Sequence, residues 1–135
     1  MDGFNVIQAF SKIGITTDLR LLLLENEDLR ALVNTNIFPI IAPEDTTGSC
    51  IFYFRDGGKN DYSMNDIIIN QNVIVTFAAM SEDYDISVSI GELIDIIIEG
   101  THINRDGYKY KCKLIKSAED LIDKKYFQLL QFEIR

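Results

Sequence analysis

The sequence has few of the residues that most often carry enzyme chemistry. Its only histidine, His102, follows a predicted helix end, and a lone histidine in a loop is more often solvated than catalytic. Its two cysteines, Cys50 and Cys112, have no CxxC spacing and no histidine nearby, which favours buried thiols over a disulfide or a metal site. The sequence therefore offers no catalytic set, and nothing in it supplies the convergent polar groups of an enzyme or a ligand-binding domain.

Long apolar runs are also missing. The longest, Leu21–Leu24 and Ile51–Phe54, fall far short of the roughly 20 residues that a membrane-spanning helix needs. The N-terminus, Met1–Asn5, lacks the basic start and apolar core of a secretory signal, so a soluble, intracellular protein is expected. With 135 residues, 47% of them hydrophobic, and only two prolines, the chain predicts one packed domain rather than a disordered segment.

Basic residues are scarce in most of the chain. Residues 1–104 carry 5 basic and 16 acidic side chains, whereas residues 105–135 carry 8 basic and 5 acidic ones, and the net charge is −8. Because affinity for nucleic-acid phosphates depends on clustered lysines and arginines, tight binding of double-stranded DNA is not expected. The asymmetry gives the molecule a positive and a negative surface, which suits head-to-tail packing of copies, although an ordinary solvated surface explains the charges slightly better.

The acidic clusters are explained without a metal. One lies at a predicted helix N-terminus, where the dipole favours carboxylates, and the other is spaced along a helix surface without the oxygen-rich loop of a calcium site. Their members are Glu82, Asp83 and Asp85, and Glu92, Asp95 and Glu99. The segment Asp56–Lys59 lacks the spacing and the strand-to-helix setting of a phosphate-binding loop. We therefore expect no metal and no cofactor.

The first part of the chain predicts helices. Residues 1–16 are interpreted as an N-terminal extension with a weakly helical piece, and residues 17–135 as a single α+β domain. A leucine-rich helix begins at Thr17–Asp18, and the segment Glu25–Asp28 can divide it into two short helices.

β-rich segments follow. Ile37–Ile41 contains a proline, so it fits an edge strand or an extended connector. Cys50–Phe54 and residues 66–80 predict the two strands of a β-hairpin. The turn-rich segment Arg55–Asn65 between them predicts an extended tip.

A long helix from about Asp83 to Glu99 is the clearest element. Ser81 or Asp83 can accept hydrogen bonds from its first free amides, and Gly100 can end it in a left-handed conformation. Six aliphatic residues at helical spacing predict one buried stripe. They are Ile86, Ile90, Leu93, Ile94, Ile97 and Ile98.

The C-terminal part predicts strands. In Tyr108–Leu114 apolar residues alternate with Lys109, Lys111 and Lys113, which predicts a half-buried strand with a row of lysines on its open face. The simpler interpretation of this lysine row is that it protects an edge strand from pairing with other chains. Ala118–Lys125 predicts a short polar helix or loop, and Tyr126–Arg135 a last strand. The whole pattern predicts an α+β fold with a mostly antiparallel sheet of four or five strands, short N-terminal helices and one long helix packed across the sheet.

The order of these elements resembles a known family. The segments that carry the resemblance are, in chain order, Thr17–Arg20, Leu29–Val33, Ile37–Pro39, Pro43, Ile51–Phe54, Val73–Phe77, Ser81–Asp85 and Leu130–Ile134. Over residues 17–135 this order is similar to the tail-completion, or tail-terminator, proteins of long-tailed bacteriophages and prophages.

The resemblance implies a structural protein without an active site. Such proteins form a homo-oligomeric ring, commonly a hexamer, that caps the tail tube and joins it to the head connector proteins. DNA passes through the ring without specific binding, and the ring assembles in the bacterial host cytoplasm and ends in the virion tail. A head-tail connector or stopper protein of the same assembly is the nearest alternative.

The charge pattern suggests where copies of the chain meet. Lys109, Lys111 and Lys113 share one strand face, while the acidic residues Glu92, Asp95 and Glu99 are expected on the helix side away from its apolar stripe. Opposite charges on separate surfaces meet only between copies. We therefore predict that the lysine face of one subunit approaches the acidic helix of the next, and that reversing the lysines weakens assembly.

Overall fold

The computed structural model describes residues 13–62, 64, 65, 68–105 and 107–135, and in these residues a curled six-stranded sheet packs against three helices. The helices are α1 (Ile15–Glu25), α2 (Glu27–Val33) and α3 (Tyr84–Ile98). The strands are β1 (Ile37–Pro39), β2 (Cys50–Tyr62), β3 (Ile68–Ser81), β4 (His102–Arg105), β5 (Tyr108–Ile122) and β6 (Lys125–Ile134). The α+β class is confirmed. Within this part of the chain, no helix combines the length and the apolar character needed to cross a membrane.

The sheet has the strand order β1-β2-β3-β6-β5-β4. β1 runs parallel to β2, and the other neighbouring pairs are antiparallel. The sequence predicted four or five strands, and the described residues form six. The additional strand is β4, whose 4 residues are too few for an alternating pattern to show, whereas β1 lies in the segment predicted as an edge strand or an extended connector and is an edge strand.

β2 continues through the segment that was predicted to be a turn. Residues 55–62 stay paired with β3, and the register shifts between Arg55 and Gly58. Gly57 has a φ of +118° and Gly58 a φ of +150°. Because glycine tolerates such angles, the pair forms a β-bulge and the strand runs on. The prediction of a turn over Arg55–Asn65 was therefore wrong for most of its length.

β5 also runs beyond its predicted end. Ala118–Lys125 was predicted as a short polar helix or loop, but Ala118–Ile122 pairs with the start of β6. Asp123 and Lys124, with φ of 51° and 65°, form the connecting turn, as expected for a two-residue hairpin loop. Residues 115–122 are exposed on both faces of the strand, so no alternation of apolar and polar residues indicates a strand in this segment.

α3 begins and ends close to its predicted boundaries. Asp83 precedes it, and the Asp83 Oδ1 atom accepts a hydrogen bond from the Ile86 amide at 3.1 Å. Gly100 follows it with a φ of +74°, which glycine adopts without strain. The cap residue and the glycine thus set the ends of the helix, as the sequence indicated.

The buried stripe of α3 is narrower than predicted. The residues confirmed as buried or half-buried are Ile90, Leu93, Ile94, Ile97 and Ile98. Ile86 is 37% exposed, so its prediction was wrong, and Ser87 and Gly91 are buried instead. A Cβ atom on Gly91 would lie 3.2 Å from Gln128 Cβ. Small residues therefore occupy the line along which α3 approaches β6 most closely.

Two short helices precede the sheet. α1 begins at Ile15, slightly before the predicted start, and the chain breaks at Asn26, inside the segment predicted to divide the helix. The Asn26 Oδ1 atom accepts a hydrogen bond from the Leu29 amide at 2.9 Å and caps α2. Ile15 is fully buried. The helical piece expected within residues 1–12 lies outside the described residues, and the boundary after residue 16 stays a prediction.

The core lies between the helices and one face of the sheet. Along β6, Leu130, Phe132 and Ile134 are buried on the α3 side, as predicted. The rings of Phe132 and Phe77 meet edge to face, with centroids 5.8 Å apart. Tyr53 packs against Phe77 at a centroid distance of 6.0 Å. Neighbouring central strands thus contribute aromatic rings to one cluster.

Both cysteines are buried free thiols, as predicted. Burial raises the pKa of Cys50 to about 11 and that of Cys112 to about 12, with the Glu99 carboxylate adding to the rise at Cys112. Because the thiolate is the reactive form, both thiols are expected to stay protonated and inert near neutral pH.

We therefore expect native protein at pH 8 to react with a thiol reagent such as DTNB far more slowly than a free cysteine does. In denaturant both thiols should react at once, because unfolding returns each pKa to its ordinary value. Following absorbance with and without denaturant measures this directly. Rapid labelling of one thiol per native chain would contradict the burial of that cysteine.

Candidate subunit interface

β5 has a long free edge. On one side of β5, β4 pairs only with Tyr108–Lys111. On the other side, β6 pairs with the remainder of the strand, from Cys112 to Ile122. On the outer side of Lys113–Ile122, which we call the β5 edge, the described residues provide no neighbouring strand. The Leu114 amide donates instead to the Glu99 side chain. An unpaired edge of this kind is a ready template for another strand.

β2 has a second free edge at the opposite end of the sheet. β1 pairs only with Ile51–Tyr53, and the outer side of Phe54–Tyr62, the β2 edge, has no strand beside it in the described part of the chain. Arg55 lies opposite Val75, which is buried on the α3 side of the sheet. Since directly paired residues point to the same face, the exposed Arg55 side chain projects on the α3 side.

Exposed apolar side chains accompany both edges. Ile40 and Ile41, beside the β2 edge, are 71% and 73% exposed, and the Ile40 amide donates to the Tyr53 carbonyl. Ile40 has a φ of 71°, a strained value for a β-branched residue. The large apolar residues exposed on the β5 edge are Ile115, Leu121 and Ile122. Exposed apolar groups of this kind, rimmed by polar residues, are typical of interaction surfaces.

An acidic cleft lies on the α3 side of β5. Its volume is about 410 Å³, and it is bounded by α3, β5 and β6. Glu92 and Asp95 from α3 and Glu119 from β5 contribute its carboxylates. The Asp95 Oδ1 atom is buried and has no hydrogen-bond partner in the described residues. A buried carboxylate oxygen is stabilised by a donor, and a cationic donor would match the charge of this cleft.

Hydrogen bonds hold Glu119 in place. The Tyr84 hydroxyl donates to the Glu119 Oε1 atom at 2.9 Å, and the Gln128 Nε2 atom donates to the same oxygen at 3.3 Å. The bond to Glu119 and the negative charge of Glu119 raise the pKa of Tyr84. Gln128 also donates to the Ser87 hydroxyl at 3.3 Å. The cleft is therefore tied to both the first turn of α3 and the hairpin between β5 and β6.

The structure separates the three predicted acidic residues. Glu92 and Asp95 line the acidic cleft, but Glu99 turns to the β5 backbone, where its carboxylate accepts from the Leu114 amide. Glu99 thus makes a contact inside its own subunit.

The lysine row lies on the opposite face of the sheet. Tyr110 and Cys112 are buried on the α3 side, so Lys109, Lys111 and Lys113, which alternate with them, point away from α3 and are exposed. Lysines and acidic cleft therefore lie on either side of one strand, and they do not meet within a subunit. Their contact between copies stays a prediction.

A smaller hollow, of about 270 Å³, lies on the lysine side of the sheet. Asp56 and Lys116 both line it, and the Gln131 Nε2 atom donates to the Asp56 Oδ2 atom at 3.2 Å. Asp56 is thus satisfied within the subunit, whereas Arg55 beside it projects on the other face.

The structure adds groups that the sequence pattern did not indicate. Glu119 was placed in a helix or loop and Arg55 in a turn, yet both lie on strands at the free edges. Only the pairing partners of β2 and β5 reveal this position, so no local signal was available. His102 is exposed in β4, and the described residues contain no group of three metal-ligating side chains.

Comparisons with known proteins identify a similar fold but no matching sequence family. No family model matches the sequence, and no curated protein matches it. Among solved structures, a chain from the virion of a native gene transfer agent (GTA) particle is similar to this chain, with a TM-score of 0.72 and 10% sequence identity. The superposition covers 87% of this chain and 90% of that chain. The two chains therefore share one architecture over most of their lengths.

Proposed function

We propose that the chain is a structural tail-completion, or tail-terminator, protein of a phage or prophage particle. It forms a ring at the head-proximal end of the tail tube and joins the tail to the head. The observation that carries the proposal is the shared fold with a chain of a virion particle, which extends over nearly all of both chains. The order of elements from α1 to β6 and the resemblance of their sequences to tail-completion proteins support the same assignment.

The surface of the domain fits a structural role. The two free edges, the exposed apolar residues beside them and the charged groups around β5 supply contacts for neighbouring proteins. The partners we propose are other copies of the chain, the tail tube protein and the head connector proteins, with DNA passing through the ring unbound. The ring would assemble in the host cytoplasm and remain in the virion tail.

The proposed subunit interface includes the charged residues on both sides of β5. Glu92 and Asp95 face the acidic cleft, and the lysine row covers the other face of the strand. The remaining predicted residue, Glu99, acts by holding the start of the β5 edge through Leu114.

Isolated tails and isolated heads test the function. In lysates of the parent particle that lack this protein, we expect tails and heads to remain separate, and added purified protein to restore joining. Preincubation with tails, followed by removal of unbound protein, should restore joining, because a terminator binds the tube end. Preincubation with heads should not.

The same measurement distinguishes a terminator from a connector or stopper protein. Restoration only after preincubation with heads would identify a connector or stopper protein. Failure to bind either component, with normal joining in its absence, would refute a role in the assembly. Electron microscopy of tails carrying a gold-labelled copy supplies the position independently.

A further inference from the structure

The two free edges of the sheet run in opposite directions. β2 and β6 point one way, and β3 and β5 point the other, because every pairing between them is antiparallel. A second copy placed so that the sheet continues past β5 therefore presents its β2 antiparallel to β5. This is the pairing that sheets form most readily.

The charges agree with this placement. Arg55 on the β2 edge projects on the α3 side of its sheet and is exposed. The acidic cleft of Glu92, Asp95 and Glu119 opens on the α3 side of β5. In a continued sheet the two lie on the same side, and an arginine can donate to two carboxylate oxygens at once.

We propose that the β2 edge of one copy pairs with the β5 edge of the next, so that Arg55 lies opposite Leu121 and reaches Glu119 at the hairpin end of the acidic cleft. The inference rests on the proposed ring and names its subunit contact. In this pairing Ile40 and Ile41 approach the apolar side chains Leu121 and Ile122 of the β5 edge. Because the two edges differ, the contact is head-to-tail, and repeated copies close into a ring when the rotation allows it.

This contact differs from a direct approach of the lysine row to α3. In the continued sheet the cleft receives an arginine from the far end of the neighbouring sheet, and Lys109, Lys111 and Lys113 stay on the other face. The two arrangements therefore predict different partners for the acidic cleft.

Disulfide trapping tests the geometry. Asp56→Cys and Asp120→Cys, which lie opposite each other in this pairing and leave Arg55 and Glu119 intact, are prepared as separate proteins, so that any mixed disulfide joins two chains. Both positions are exposed, whereas native Cys50 and Cys112 are buried. Mixed under oxidising conditions, alone at high concentration and on isolated tail tubes, they should form a covalent dimer. Mass spectrometry should identify the 56–120 linkage.

A matched control uses Thr35→Cys, an exposed position outside both edges, in place of Asp56→Cys. This mixture should give at least tenfold less dimer. Equal dimer yields in the two mixtures, or no 56–120 dimer in a sample whose rings are visible by electron microscopy, would overturn the inference and leave the proposed function intact.

Charge exchange tests the role of Arg55. Arg55→Glu should weaken assembly at least tenfold in light scattering or tail binding, and Glu119→Arg in the same chain should partly restore it. Arg30→Glu, on the exposed surface of α2, serves as the control for the charge change alone.

A separate charge exchange tests the alternative, in which the lysine row contacts α3 of the next copy. If reversing Lys109, Lys111 and Lys113 is rescued by reversing Glu92, Asp95 and Glu99, while Arg55→Glu has no effect, the acidic residues face the lysine row and the inference is wrong. Absence of both rings and tail binding in the unmodified protein would instead refute the proposed function.

Discussion

Replacing Phe132 with alanine is expected to lower the free energy of unfolding by about 3–5 kcal/mol, the range found when large aromatic residues are truncated in cores. Phe132 is fully buried and lies on β6, between β3 and β5. Its ring contacts Phe77 edge to face at 5.8 Å, so truncation removes an aromatic pair and leaves a cavity beneath α3. Chemical denaturation followed by circular dichroism measures the loss.

Phe127→Ala supplies the comparison on the same strand. Phe127 is half-buried and faces Phe52 at a centroid distance of 6.3 Å. Because part of its surface already contacts solvent, its truncation should cost clearly less than that of Phe132. Equal losses for the two variants would show that the core does not lie on the α3 side of the sheet.

Replacing Gly91 with leucine is expected to separate α3 from β6. The first added carbon would already lie 3.2 Å from Gln128 Cβ and 3.7 Å from Leu130 Cδ1, so a leucine side chain cannot fit without movement of the helix. Overpacking of this kind costs about 1–3 kcal/mol, more than a helical glycine loses by its low propensity. The unfolding free energy should fall accordingly.

The substitution should also disturb assembly, because Gly91 lines the acidic cleft. Ser89→Leu makes a similar change on the exposed face of the same helix and should leave both properties nearly unaltered. Stability is measured in denaturant, and tail binding or light scattering at a temperature where both variants are folded. A Gly91→Leu protein as stable as Ser89→Leu would mean that α3 has room to shift above β6.

Several elements were predictable because their signals are local. The Asp83 cap, the apolar period and Gly100 together define α3, and each acts within a few residues of the backbone that it stabilises. The alternation of Leu130, Phe132 and Ile134 marked β6 in the same way, since its α3 side is buried and its other side is not. The break at Asn26 also follows from a local contact, the side-chain cap of α2.

Other features depended on partners that are distant in the chain. Arg55–Tyr62 and Ala118–Ile122 have loop-like compositions, yet each becomes a strand because the adjacent strand supplies backbone hydrogen-bond partners along one side. Ile86 fits the helical stripe, but in the first turn of α3 it is Ser87 that faces the sheet, and Ile86 lies on the exposed side of that line.

The sequence by itself thus determined the α+β class, the long helix and the buried face of β6, because these follow from periodicity, caps and residue types. Tertiary structure alone decided the strand order, the two free edges and the meeting of Glu92 and Asp95 with Glu119 in one cleft. These depend on which segments pair across the sheet. A pairing partner contributes through its backbone, which is nearly the same for every residue type, so its identity leaves little trace in the sequence.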